Sequence, residues 1–152
     1  MYEVYCDGSA RNNGYSNAVG ACAFVILKDG DKVKEDVIVQ DGATNQQMEL
    51  MAAIIALEAF TEQSSVTIYT DSAYLHNCRQ QRWYRNWQKN GWHNAKKQPV
   101  ANRELWEKLI PYFEDERYQF KKVAGHNGVQ WNEYVDNLAQ DASLRRKNDN
   151  NN

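Results

Sequence analysis

The stretch QMELMAAIIALEAF, residues 47–60, decides how the rest of the sequence is interpreted. At about 100° per residue, a helix formed by these residues is apolar on nearly every face, and Glu49 falls on the apolar side beside Ala53 and Ala56. Such a helix belongs in a protein interior, where an unpaired carboxylate is costly. The stretch therefore predicts a buried helix in which Glu49 needs a neutralising partner or a bound metal ion.

Strand patterns lie on both sides of this helix. Residues 1–7 alternate between apolar and polar side chains, and residues 19–27 form a longer apolar run. Asp29 and Gly30 form a hairpin signal, so that residues 33–39 return antiparallel. The later elements are predicted as a strand at 66–69, helices at about 72–89, a helix that begins after the N-cap Asn102, a strand at 118–123 and a last helix at 132–146.

This order of elements predicts an α/β fold. A hairpin at the start, followed by alternating helices and strands, favours a five-stranded mixed sheet with antiparallel hairpin strands, then parallel strands, and helices on both faces. The length of 152 residues fits one domain, which we place at residues 1–145. The low-complexity ending KNDNNN predicts a disordered tail at 146–152.

Composition and charge exclude several classes of protein. The net charge of −2 excludes a general basic coat, so any site for a polyanion must be local. Three scattered cysteines without a CxxC pair indicate reduced thiols rather than a disulfide framework or a zinc site. The sequence has neither a signal peptide nor an apolar run of the roughly 18 residues that a membrane span needs. We therefore expect a soluble, cytoplasmic monomer with no membrane and no obligatory protein partner.

Acidic residues follow two of the predicted strands. Asp7 ends the first strand and Asp71 ends the fourth, and ligands of open sheets gather beyond the carboxyl ends of the strands. Glu49 could share that pocket, as could Asp136, which lies next to Val135 in the early turns of the last helix. Clustered carboxylates repel one another unless a cation holds them, and an all-oxygen ligand set favours Mg²⁺ or Mn²⁺ over zinc.

Simpler interpretations of these acids stay open at this point. An Asp before Gly or Ser, as at Asp7 and Asp71, is commonly a turn or cap residue. Glu49 could be one half of a neutralised buried pair. The spacing of the acids does not decide between these roles and a metal cluster.

Four sequence motifs occur together in one order along the chain. They are VYCDGS with Asp7, TNQQMELMAAIIALE with Glu49, YTDSAY with Asp71, and GHNGVQWNEYVDNLA with His126 and Asp136. In this order they resemble the type 1 ribonuclease H family (ribonuclease HI), over residues 2 to about 144. The resemblance implies a ribonuclease H-like fold and endonucleolytic hydrolysis of the RNA strand of RNA–DNA hybrids, with 3′-hydroxyl and 5′-phosphate ends.

The resemblance also implies roles for individual catalytic residues. Asp7, Glu49, Asp71 and Asp136 would ligate two Mg²⁺ ions, for which Mn²⁺ could substitute. Two ions on either side of one phosphate suit hydrolysis, because they hold the attacking water and the leaving oxygen. His126 would handle protons and assist product release, so we expect its loss to slow turnover rather than abolish it.

Residues 79–103 carry a local positive charge that the whole chain lacks. The segment contains no acidic residue and combines seven basic residues with four aromatic ones, namely Arg79, Arg82, Arg85, Lys89, Lys96, Lys97, Arg103, Trp83, Tyr84, Trp87 and Trp92. Such a mixture suits phosphates and flat sugar or base surfaces. It resembles the family's basic protrusion, which grips the DNA strand, so we expect substrate contacts from Trp83, Trp92 and the lysines. Trp87 is expected to pack inward.

Polar residues near the first strand suit the recognition of ribose. Telling RNA from DNA requires contact with 2′-hydroxyl groups. Gly8 lets the backbone approach the strand closely, and the amides of Asn13, Asn45 and Gln46 both donate and accept hydrogen bonds. These residues match family positions that read the ribose.

Thr44 matches a family residue that contacts a DNA phosphate. Gly42, two positions earlier, stands where members with that pocket often carry a basic residue, so the role of Thr44 stays open. Thr44 or Asn45 could equally cap the helix that contains Glu49.

Other functions stay open beside a free-standing ribonuclease H. A DNA-cleaving nuclease of the same fold would cut all-DNA substrates, but the TNQQMEL and GHNG segments argue against it. A non-catalytic hybrid-binding module would not need all four acids. A domain of a reverse transcriptase is a further alternative, although the ends of the chain favour a stand-alone protein of low processivity.

Overall fold

The structure, a computed structural model, describes residues 1–61, 64–123 and 130–150. Five strands and five helices occur in these ranges. Their order is β1 (Tyr2–Arg11), β2 (Val19–Lys28), β3 (Asp31–Asp41), α1 (Asn45–Glu58), β4 (Val66–Thr70), α2 (Ala73–Gln81), α3 (Trp83–Asn90), α4 (Arg103–Phe113), β5 (Tyr118–Lys122) and α5 (Gln130–Asn150).

The strands form one mixed sheet in the order β3-β2-β1-β4-β5. The hairpin strands β1, β2 and β3 pair antiparallel, whereas β4 pairs parallel to both β1 and β5. The last pair of the β1–β4 register is Cys6 with Thr70. The fold predicted from the sequence is confirmed, and its two central parallel strands stop pairing at the same level.

Helices cover the sheet on both faces. The side chains of Cys22, Phe24 and Ile26 in β2 join the larger core with α1, α2 and α4, while Ala21 and Val25 join a second core with α5. Because β2 is buried on both faces, its sequence is apolar without alternation. The long apolar run at residues 19–27 has this cause.

The helix α1 is enclosed as its sequence predicts. Thr44 is its N-cap, accepting a hydrogen bond from the Gln47 backbone N–H at 3.1 Å, while the Gln47 side chain accepts from the Thr44 N–H at 2.9 Å. Buried residues occur on successive positions of the helix, including Met48, Leu50 and Ile54. The cap residue predicted as Thr44 or Asn45 is thus Thr44.

Close contact between β1 and α1 depends on Gly8. An ideal Cβ built on Gly8 would overlap the backbone carbonyl of Met48 and lie 2.9 Å from the backbone nitrogen of Glu49. No side chain fits in that space, so the absence of a Cβ lets the helix backbone lie directly on the strand. This approach brings Glu49 next to the strand that carries Asp7.

Several element boundaries differ from the predictions. β1 continues past Gly8 to Arg11, because residues 8–11 still pair with β2. The helix α5 starts earlier than expected and continues to Asn150, into the segment from residue 146 for which the sequence predicts a disordered tail. An ion pair at 2.8 Å between Arg146 and Asp41 of β3 ties this end of the helix to the sheet.

Asn102 stands at the N-cap position of α4 but does not cap the helix with its side chain. Its φ of 62° is left-handed, and its amide donates instead to the hydroxyl of Tyr74 at 3.3 Å. The predicted start of α4 is therefore confirmed at Arg103, although the cap chemistry differs.

The three cysteines are buried and free, as expected for reduced thiols. Burial raises the pKa of Cys22 and of Cys78 to about 12, so both remain protonated at neutral pH. In the described ranges, no helix is both long and apolar enough to cross a membrane.

Candidate active site

Asp7 and Asp71 lie side by side where the pairing of β1 with β4 ends. Each follows the last paired residues of the register, Cys6 and Thr70. Residues of equal register in parallel strands point to the same face, so the two carboxylates share the face that α5 covers. The structure thus places together two of the acids that the sequence singled out.

Asp7 occupies the most enclosed position of the predicted acids. It is 8% exposed, and its Oδ1 accepts a hydrogen bond from the Gly8 N–H at 2.9 Å. Burial, a hydrogen bond with Asp136 and the charges of Asp71 and Asp136 together raise its pKa to about 9. Asp7 and Asp136 are therefore in contact, and the charge of Asp71 also acts on Asp7.

Glu49 reaches the same region from α1. Its half-buried carboxylate accepts a hydrogen bond at 2.8 Å from the hydroxyl of Ser72, which is the N-cap of α2. Burial raises the pKa of Glu49, opposed by the Ser72 hydrogen bond and reinforced by the charge of Asp71. A charge on the apolar side of α1 is tolerated because it faces this polar centre.

Asp136 enters from α5, on the other side of the sheet from α1. The side-chain amide of Gln140, one turn later, donates to its two carboxylate oxygens at 3.2 and 3.1 Å. The contact matches the i,i+4 geometry of a helix. Four elements, β1, α1, β4 and α5, thus each supply one predicted acid.

The donor chemistry of these residues fits a hard divalent cation. Within the described ranges, no group of three or more His, Cys, Asp or Glu side chains is gathered tightly enough to hold a metal ion. Asp7 contacts Asp136, and the charge of Asp71 acts on both Asp7 and Glu49. A cation that neutralises the acids would relieve the cost of burying them.

Replacing Asp7 with Asn should stabilise the metal-free protein. The pKa of Asp7 is about 9 in the fold against an ordinary 3.8, so its contribution to stability is complete below about pH 4 and is lost as the pH rises towards 9. An Asn side chain has the shape of the neutral carboxyl group and cannot ionise, so the variant does not lose this stability as the pH rises. We expect melting in EDTA to be equal at pH 4 and about 3–6 °C higher for the variant at pH 8.

Adding Mg²⁺ is the control for this variant. Because a ligand stabilises only the state that binds it, Mg²⁺ should raise the melting temperature of the wild type more than that of Asp7→Asn. A variant that melts below the wild type in EDTA at pH 8 would contradict the strain assigned to the Asp7 carboxylate.

The residues expected to read ribose meet around one cavity of about 470 Å³. Its lining includes three of them, Asn13, Asn45 and Gln46, together with Thr44 and Asn102. The amide oxygen of Asn45 accepts from the Ala10 N–H at 2.6 Å, and that of Asn13 accepts from the Asn45 N–H at 3.1 Å. These bonds orient both amides, so their NH₂ groups become the donors presented to a ligand.

The basic segment at 79–103 is less positive in the fold than in the sequence. Glu114, at the end of α4, pairs with Arg82 and Arg85 at 3.5 and 3.2 Å and accepts from the Tyr84 hydroxyl at 2.8 Å. Arg103 lies over the ring of Trp92 with its Cζ at 4.9 Å from the centroid. Arg82, Arg85 and Arg103 therefore have structural partners, and Lys89, Lys96 and Lys97 are exposed.

Lys96 and Lys97 lie in a turn built around Asn94. The Asn94 side-chain oxygen accepts from the Lys96 and Gln98 N–H groups at 3.0 Å each, and its carbonyl accepts from the Lys97 N–H at 2.9 Å. The turn thus holds two exposed lysines, and its Asn94 lines an open groove of about 630 Å³ together with Lys89.

The tryptophans of the segment differ in their exposure. Trp92 is only 9% exposed and packs on Trp87, whose ring also contacts the fully buried Trp106. Trp83 is half-buried and lines the groove beside the turn. Burial makes Trp92 a structural residue in the free protein and favours Trp83 as the ring that a substrate meets. Trp87 packs inward, as predicted.

Two residues that contact the predicted acids are not predicted from the sequence. Ser72 and Gln140 orient Glu49 and Asp136, and the only available signal was their spacing, one residue after Asp71 and one turn after Asp136. His126, predicted to handle protons, lies outside the described residues.

The strand order of the sheet, with acids at its centre, is typical of the ribonuclease H-like class of folds. Two solved structures share the fold over 93% of this chain. LC9-RNase H1, described as a type 1 RNase H with the type 2 active-site motif, has a TM-score of 0.76 and 26% identity, with 71% of its own chain covered. The foamy viral protease-reverse transcriptase, solved in complex with RNA/DNA hybrid, has a TM-score of 0.77 at 22% identity, with 20% of its chain covered.

Sequence comparison identifies the family. The RNase H family profile matches residues 1–144. Ribonuclease H of Syntrophomonas wolfei subsp. wolfei is 43% identical over 140 residues, which are 91% of this chain and 93% of the relative. The chain belongs to the ribonuclease H family, as its motifs predicted, and this membership supports a nuclease activity of the ribonuclease H type.

Proposed function

We propose that the protein is an endonuclease that hydrolyses the RNA strand of RNA–DNA hybrids and leaves 3′-hydroxyl and 5′-phosphate ends. The observation that carries this proposal is the chain of interactions among the acids: Asp7 contacts Asp136, and the charge of Asp71 acts on both Asp7 and Glu49. A fold does not need such a cluster for stability, because buried carboxylates of like charge repel one another.

The residues of the chain position and orient the reacting phosphate. Asp7, Glu49, Asp71 and Asp136 are proposed to hold two divalent ions, with Mg²⁺ as the working metal and Mn²⁺ as a substitute. Bound there, the ions would supply the positive charge that stabilises oxygens on which negative charge develops. Ser72 keeps the Glu49 carboxylate directed to the centre. His126 is proposed to move protons at the leaving oxygen.

The cavity that Asn13 and Asn45 line supports selection of RNA. Their oriented NH₂ groups can donate to a ribose hydroxyl, which deoxyribose lacks. Gly8 contributes by letting the α1 backbone lie directly on β1, and Gln46 and Thr44 lie in the same cavity. The solved complex of the foamy viral enzyme with an RNA/DNA hybrid supports the same class of substrate for this fold.

The DNA strand is proposed to lie on the protrusion formed by α3 and the following turn. Lys89, Lys96 and Lys97 provide charge for its phosphates, and Trp83 provides an aromatic surface. Residues 1–145 are proposed as the catalytic unit, acting as a monomer in the cytoplasm.

Replacing Lys96 and Lys97 together with Ala should weaken hybrid binding and flatten its dependence on salt. Each phosphate contact that is lost lowers the slope of log K against log salt by about 0.9, so the double variant should lose up to about 2. The slope is measured by titrating labelled hybrid in EDTA at several salt concentrations. Lys34→Ala is the matched control, because Lys34 is an exposed lysine on β3. An unchanged slope would mean that the turn does not contact the hybrid.

Cleavage of matched duplexes tests the proposed function. End-labelled RNA annealed to DNA or to RNA, and an all-DNA duplex of the same sequence, are incubated with protein and Mg²⁺ or with EDTA. We expect cutting of RNA in the hybrid alone, and no cutting in EDTA. Cutting of the DNA duplex would identify a DNA nuclease of the same fold. Hybrid binding without cutting would identify a binding module.

A further inference from the structure

A second polar pocket continues from the acid cluster along β1 and α5. Ser9 and Arg11 follow Asp7 on the same face of β1, at alternate positions. They face the part of α5 that contains Gln140 and Ser143, and together these residues line a cavity of about 240 Å³. The pocket adjoins Asp136 through Gln140, whose amide donates to that carboxylate.

Arg11 is held in this pocket by a neutral group. Its Nε donates at 2.9 Å to the hydroxyl of Ser143, which is 2% exposed and itself donates to the Gln140 carbonyl at 2.9 Å. In the part of the chain that the structure describes, Arg11 forms no ion pair with a carboxylate. Arg82 and Arg146, in contrast, are each paired with an acid.

A guanidinium that is fixed but not neutralised suits an anionic ligand. Only one of its five N–H donors is used by Ser143, and the planar fork matches the oxygens of a phosphate. The hydroxyl of Ser9 adds a further donor at the wall of the pocket. The buried Ser143 sets the orientation in advance, which reduces the entropy lost when a ligand binds.

We propose that this pocket binds a phosphate of the RNA strand next to the one that is cleaved. The proposal rests on the proposed function. Asp7 and Arg11 are four residue steps apart along β1, about 13 Å at the rise of a strand, so Arg11 serves a neighbouring phosphate rather than the reacting one. The RNA strand is the ligand because Arg11 shares β1 and α5 with Asp7 and Asp136, whereas the lysines proposed for the DNA lie in the protrusion.

Arg11 variants test this subsite on the full chain. Arg11→Gln should raise KM for the hybrid about tenfold with kcat changed less than about twofold, and should lower the salt slope of binding in EDTA by about 1. Arg11→Lys should recover part of the loss. Arg145→Gln removes the same charge from an exposed position on α5 and should behave like the wild type.

Neutral linkages in the substrate locate the phosphate. A set of hybrids carries one methylphosphonate each, at successive positions of the RNA or of the DNA, and binding is measured in EDTA. At one RNA position near the cut, the wild type should lose about tenfold in affinity and Arg11→Gln should lose nothing further. Arg11→Lys serves in place of Arg11→Gln if the latter does not fold.

The outcomes separate the two proposals. Equal effects of Arg11→Gln and Arg145→Gln, or additive losses at every RNA position, would overturn the subsite and leave Arg11 as a counter-charge to the acids. A coupled position on the DNA strand would also overturn it. A wild type that binds the hybrid but does not cut it would contradict the proposed function, while the coupling in EDTA would still report on Arg11.

Discussion

Replacing Asp71 with Asn is expected to lower kcat on an RNA–DNA hybrid by a factor of about 10³ or more. Asp71 lies at the point where β1 and β4 stop pairing, and its charge acts on both Asp7 and Glu49. Asn keeps the size of the side chain but removes the charge that the proposed metal ions need. Folding and hybrid binding in EDTA should remain near those of the wild type, as circular dichroism and titration would show.

Asp29→Asn is the matched control for this variant. It makes the same substitution, Asp to Asn, at an exposed hairpin turn. The φ of 52° at Asp29 suits Asn equally well. This variant should cut at the wild-type rate. Residual activity of Asp71→Asn above about a tenth of the wild type would contradict the assignment of the four acids.

Replacing Gly8 with Ala is expected to produce the largest loss of stability. The added Cβ would overlap the carbonyl of Met48, which is backbone and cannot rotate away, so α1 must move from β1. Overpacking of this kind costs about 2–4 kcal/mol, or about 5–12 °C in melting temperature. Activity per folded molecule should also fall, because the shift separates the carboxylates of Asp7 and Glu49.

Gly30→Ala distinguishes this clash from an ordinary glycine effect. Gly30 has a φ of 87° in the β2–β3 turn, and an added Cβ would meet no atom within 4 Å. Only backbone strain applies there, about 1 kcal/mol, without an effect on cleavage. Equal losses of stability in the two variants would show that the contact between β1 and α1 can relax.

The sheet and its helices could be predicted because local patterns agree with the tertiary structure. Burial is visible directly in the apolar sequences of β2 and α1, and the hairpin is visible in the Asp29-Gly30 turn. The ends of β1 and α5 could not be predicted in this way. β1 continues through Gly8 because β2 supplies hydrogen-bond partners, and α5 continues past Arg146 into residues of low helix propensity.

The acids of the candidate site were predictable, whereas their supports were not. In the sequence, Asp7 and Asp71 end strand patterns and Glu49 lies on an apolar helix face, where acids are unusual enough to notice. Ser72 and Glu114 are ordinary in sequence, and their roles arise from contacts between distant segments. The burial of Trp92 likewise depends on packing against Trp87 and Arg103, which the mixture of charges and rings does not reveal.

The parallel pairing of β1 with β4 has a consequence for how the protein gains activity during folding. The β2–β3 hairpin can close locally, but β4 follows β1 only after α1, so their pairing closes a loop of about 60 residues and is intrinsically slow. Asp7 and Asp71 meet only when that loop has closed. A nascent chain that has formed its hairpin and helices therefore has not yet brought Asp7 and Asp71 together, and the proposed hydrolysis would require the completed sheet.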